Sequence, residues 1–109
     1  MRTRTRISED GFRKVHQAVE HVLTPSPVFE GTTMAFYGRV GEVCGYTSHT
    51  VGLVVRALVS LNIISRVETR TPSGVVGDRR IYFRFRLEKP GVDIGLVNGF
   101  YQVVGRKSR

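Results

Sequence analysis

The sequence predicts an α+β domain in which three amphipathic helices are followed by a β-hairpin and a C-terminal helix. Two patterns carry the helices and the hairpin of that expectation. Apolar residues recur at three- and four-residue intervals in three stretches between Ser8 and Leu61, and then alternate every second residue between Ile64 and Leu87. At 109 residues, with 40% hydrophobic and 24% charged residues, the chain has the length and composition of one ordinary globular domain.

The first helix is expected from Ser8 or Glu9 to Leu23, with Phe12, Val15, Val19, Val22 and Leu23 on one face. Ser8 is suited to cap it, and Glu9 and Asp10 favour the positive end of its dipole. Thr24-Pro25-Ser26-Pro27 ends it, because proline cannot donate the next helical hydrogen bond. A second helix is expected from Thr32 or Thr33 to Cys44, with Met34, Tyr37, Val40, Gly41 and Cys44 inward. Met34-Ala35-Phe36-Tyr37 is also compatible with a short strand ahead of that helix. Thr47 caps a third helix whose apolar face is Val51, Val54, Val55, Leu58 and Leu61.

Ile64 to Arg70 then reads as a strand, Thr71 to Asp78 as turn chemistry, and Ile81 to Leu87 as the returning strand. Phe83 and Phe85 alternate there with Arg84 and Arg86. After Pro90-Gly91, Val92 to Val104 is expected to be helical, capped by Asp93. Gly91, Gly95 and Gly99 fall four residues apart along it, a smooth stripe that lets a second helix approach. That helix is expected to pack on the first helix and on its mate in a homodimer.

Val40-Gly41-Glu42-Val43-Cys44-Gly45-Tyr46-Thr47-Ser48-His49-Thr50-Val51 resembles the helix-turn-helix pattern, with a small residue at 41, a glycine at the turn at 45 and a β-branched anchor at 51. Together with the hairpin that follows, residues 9–87 resemble the winged helix-turn-helix regulator superfamily, including MarR-like and ArsR-like bacterial and archaeal regulators. Gly41 stands where alanine is more usual there, and Asn62 where glycine often follows the third helix; asparagine also tolerates the left-handed conformation of such a cap. The implied architecture is a three-helix core with a β-hairpin wing, here with the added C-terminal helix. The implied parts are a basic arm (1–7), a DNA-binding domain (8–87), a C-terminal helix (88–105) and a basic tail (106–109).

The resemblance implies a third helix in the major groove and a wing on the neighbouring backbone or minor groove. The helix residues expected at DNA are Thr47, Ser48, His49, Thr50, Gly52, Leu53 and Arg56, with Arg56 the preferred base reader. Arg70, Ser73, Arg79 and Arg80 are expected to serve from the wing, and Arg2, Arg4 and Arg6 from an arm that orders on binding. Arg66, Arg84 and Arg86 line a strand face and fit equally the solvent side of a half-buried sheet, paired with Glu68.

Charge points the same way. The formal net charge is +8, and it is concentrated in the first six residues, in 63–87 and in the last four. Such an excess suits a polyanion, since each phosphate neutralised releases condensed counterions. The function expected is sequence-selective binding of double-stranded DNA in transcription regulation. The alternatives are a plasmid or viral replication or partition protein, and a protein-interaction module of the same fold.

Catalysis is not expected. His16 and His21 are five residues apart and share a helix face poorly, and the sequence holds no HExxH, CxxC, P-loop or dinucleotide motif. Cys44, alone or with His49, makes neither a closed metal site nor a redox pair, so no metal or cofactor is expected. A single cysteine fits a reducing cytoplasm, where a nucleoid-associated protein would reside. The basic first residues lead into polar ones, and the longest apolar stretch is broken by Arg56, Ser60 and Asn62, so neither secretion nor a membrane span is predicted.

Overall fold

A computed structural model describes residues 1–69 and 80–106. The elements run β1 Arg2–Thr3, α1 Glu9–Val22, β2 Val28–Thr32, α2 Thr33–Cys44, α3 Ser48–Ser60, β3 Ile64–Thr69, β4 Tyr82–Leu87, β5 Val92–Val97 and β6 Phe100–Arg106. Among the described residues they form three helices and two three-stranded antiparallel sheets, ordered β2-β4-β3 and β1-β6-β5.

The helix boundaries follow from side chains that satisfy the orphan backbone groups at helix ends. The hydroxyl oxygens of Ser8, Thr32 and Thr47 accept from the amides of Gly11, Ala35 and Thr50 at 3.1, 3.1 and 3.4 Å. Gly45, at φ +78°, ends α2 in the left-handed region that side chains disfavour. Asn62, at φ +58°, does the same after α3, with the Ile63 amide donating to the Leu58 carbonyl and the Asn62 amide to that of Val59. That crossed pair is a Schellman cap, and Leu58 and Ile63, both buried, seal it.

Two aromatic stacks join the layers. Phe36 of α2 lies on Phe85 of β4 with ring centroids 4.2 Å apart, and Phe12 of α1 lies on Tyr101 of β6 at 4.1 Å. The β2-β4-β3 sheet thus rests on α2 and the β1-β6-β5 sheet on α1, while α1 packs against both other helices. Within α2 the buried residues are Phe36, Tyr37 and Val40. Met34, expected inward, is 64% exposed, because Phe36 takes the place against the sheet.

The expected fold class, a winged helix-turn-helix with a three-helix core, a β-hairpin wing and a C-terminal helix, is corrected. Strands are interspersed among the helices, two separate sheets are present, and residues 92–106 are a β-hairpin. Asn98 and Gly99, at φ +53° and +81°, form the two-residue turn whose twist matches antiparallel strands. Val92, Ile94, Val97, Val103 and Val104 supply branched side chains that pack better on a pleated surface than on a helix. The four-residue glycine stripe therefore does not exist as a face, and the helix expected to carry a homodimer is absent. The arm is no free tail either: Arg2 and Thr3 pair with Gln102 and Tyr101 as the third strand of that sheet.

Candidate nucleic-acid interface

The turn Gly45-Tyr46-Thr47 sets α3 against α2, and what it leaves open is one side of α3. A Cβ at Gly41 would lie 2.9 Å from the Tyr46 carbonyl oxygen, so the turn can close over this position only because the side chain is missing. Val51, Val54, Val55, Ala57 and Leu58 are then buried, while His49 and Arg56 are exposed and Leu53 is half-buried. Residues 49, 53, 56 and 60 lie along one helical stripe.

Beside that stripe is a shallow groove of about 470 Å³ lined by Met34 and Tyr37 of α2, Ser48, His49, Gly52 and Arg56 of α3, and Arg66 of β3. Gly52 is buried, and a Cβ there would lie 2.9 Å from Tyr37 Cε2, so its role is to let the Tyr37 ring approach α3. Arg56 donates from Nε to the Gly52 carbonyl at 3.2 Å, which steers its guanidinium along the helix and leaves the two terminal nitrogens outward.

Strand register divides the arginines into two sets. Arg66 pairs with Phe85, and directly opposed residues share a face. Phe85 is buried against the helices, so Arg66 also lies on the helix side, with its guanidinium 4.8 Å from the centre of the Phe83 ring. Arg84 and Arg86 alternate with these phenylalanines and face solvent. Their partners are not Glu68: Arg84 Nε is 3.0 Å from a Glu30 carboxylate oxygen, and Arg86 Nε is 3.7 Å from one of Glu88. Among the described residues no carboxylate pairs with Arg56 or Arg66. Among the described residues the groove is therefore cationic without counterions, whereas the outer sheet face carries its own.

The remaining expected contacts are dispersed. The Thr47 hydroxyl is engaged in capping and also donates to the Thr50 hydroxyl at 3.3 Å. Arg70, Ser73 and Arg79 lie outside the described residues. Arg80 is exposed, its guanidinium 5.5 Å from the Tyr82 ring centre, and it borders an apolar hollow shared with Thr32, Thr33, Met34, Ile81 and Phe83. Arg2, Arg4 and Arg6 are exposed, with Arg2 and Arg4 on the terminal sheet.

Sequence reasoning missed Arg66, Tyr37 and Met34 as groove residues. Parity held the signal for Arg66: it is two residues from Ile64, which is buried, and so belongs to the inward set of its strand.

Among the described residues no three His, Cys, Asp or Glu side chains cluster as metal ligands, and no helix is long and apolar enough to cross a membrane. Cys44 is half-buried in a hollow between α1 and α2 with Lys14, Gln17 and His21. The chain matches no protein-family model, no curated protein and no solved structure.

Proposed function

We propose that the protein binds double-stranded DNA sequence-selectively and regulates transcription, with the exposed side of α3 in the major groove and the β3–β4 hairpin against the adjoining backbone. The observation that carries this reading is the convergence of Arg56 of α3 and Arg66 of β3, two permanent charges without a carboxylate partner among the described residues, beside Ser48 and His49 at the start of α3. Guanidinium groups suit both guanine edges and phosphates, and the amides of the first helical turn favour anions. A helix is also narrow enough for the major groove. Cytoplasmic residence with the nucleoid belongs to the same proposal, and a homodimer would have to be built on surfaces other than a C-terminal helix.

Selection of bound sites from random duplexes, at two salt concentrations, tests the proposal. The expected result is an enriched motif, with affinity that falls as salt rises. Recovery of the input pool without enrichment, or binding insensitive to salt, would refute it.

A further inference from the structure

A second cationic surface lies on the terminal sheet. Thr3 pairs with Tyr101 and Arg2 with Gln102. Tyr101 is buried on Phe12, so Thr3 faces the helices, whereas Arg2, Phe100 and Gln102 face away from them. Arg2 and Arg4 share one aromatic platform: their guanidinium carbons are 4.3 and 5.8 Å from the centre of the Phe100 ring. The two charges are thus held within roughly 10 Å of each other, about a Debye length at ordinary salt. Among the described residues neither has an ion pair. Like charges fixed at this spacing repel, and an anion spanning both relieves the repulsion. Stacking on the ring leaves the edges of each guanidinium open to donate to phosphate oxygens.

This surface belongs to a different sheet from the one that borders the groove. Asn62 Nδ2 lies 3.3 Å from Met1 Sδ, which puts the start of the chain at the C-terminal end of α3, whereas the groove runs from Ser48 and His49 at the N-terminal end of that helix to Arg56, about 9 Å of helix rise before Asn62. The terminal sheet packs on α1 with its other face, whereas the groove is built from α2, α3 and β3.

We infer that Arg2, Arg4 and Phe100 form a second phosphate-backbone surface, and that it holds a different duplex segment from the one in the α3 groove, so that one molecule bridges two stretches of DNA. This rests on the DNA-binding reading of the groove. Because β1 is already ordered on β6, Arg2 meets the backbone without the entropic cost of fixing a loose tail, and Arg4 follows two residues later over the same ring.

The test is capture of a fluorescent duplex by protein loaded on a bead-bound duplex, alongside gel retardation on a single duplex. The wild-type chain is expected to capture the second duplex. Arg2→Glu/Arg4→Glu should retain the sequence preference on one duplex but capture at least tenfold less of the second. Arg2→Lys/Arg4→Lys keeps the charge and should retain most of the capture. If the glutamate variant melts below the assay temperature, Arg2→Gln/Arg4→Gln replaces it with the same expectation. Wild-type protein that binds one duplex but captures no second would overturn the inference and leave the groove reading intact. Undiminished capture by the charge-reversed variant would overturn it too, assigning the bridging to two protein copies joined groove by groove. Failure of the wild-type chain to bind any duplex would instead defeat the groove reading on which the inference depends.

Discussion

The sharpest prediction concerns which arginines matter. Arg84 and Arg86 already have carboxylates at 3.0 and 3.7 Å, in exposed pairs of the kind worth about 0–1 kcal/mol, whereas Arg56 and Arg66 have none among the described residues. If the latter two each neutralise one phosphate, Arg56→Ala/Arg66→Ala should lower the slope of log affinity against log salt by about 1.8. Between about 50 and 200 mM salt, the wild-type chain should then lose roughly twelvefold more affinity than the double variant. Arg84→Ala/Arg86→Ala should leave the slope nearly unchanged. Neither groove substitution threatens the fold: Arg66 gives up an exposed contact with Phe83 worth about 0.5–1 kcal/mol, and Arg56 a hydrogen bond to the Gly52 carbonyl worth about 1 kcal/mol. Fluorescence anisotropy of a labelled duplex across the salt series measures both slopes. Equal slopes for the two double variants would refute the assignment of roles by strand register.

Three further outcomes test the packing of the groove and of the terminal sheet. Gly52→Ala gains about 1 kcal/mol of helix propensity but drives a methyl group to 2.9 Å from Tyr37, an overpacking cost of about 1–3 kcal/mol; thermal melting should show a net loss, with weaker duplex binding because Tyr37 lines the groove. Burial, with a smaller contribution from Glu9, raises the pKa of Tyr101 above its ordinary value of about 10. The unfolded chain therefore ionises first as pH rises: the stabilisation is complete below about pH 10 and is lost as pH climbs through the raised folded value, a decline that denaturation of Tyr101→Phe should lack. That variant should also be less stable by about 1 kcal/mol at neutral pH, since the Tyr101 hydroxyl donates to the Ile7 carbonyl. Gly99→Ala, at φ +81°, should cost about 1–2 kcal/mol by chemical denaturation, with the loss seated in the terminal hairpin.

What was legible in the sequence was local. The helices α1, α2 and α3 announce themselves through three- and four-residue periodicity and through Ser8, Thr32 and Thr47, because a helix satisfies its own backbone within a few residues and its caps lie next to it. Strand β2 gave no such signal. Val28-Phe29-Glu30-Gly31-Thr32 has two adjacent apolar residues and no alternation, and it is a strand because it pairs with residues 82–86, fifty or more positions away. Residues 92–106 carried two conflicting signals, glycines four apart and the dipeptide Asn98-Gly99 between branched residues. The dipeptide decides, since a positive φ at both positions closes a hairpin. The candidate site has the same division. Arg56 follows from the phase of its own helix, but Arg66 joins it only through a register that opposes it to Phe85, and Arg84 and Arg86 are neutralised only because the adjoining strand and turn bring Glu30 and Glu88 beside them. Which cations remain for a phosphate is thus a property of strand pairing and not of composition, and a chain with the same net charge but a register shifted by one residue would turn Arg66 outward and the neighbouring Val67 toward α3.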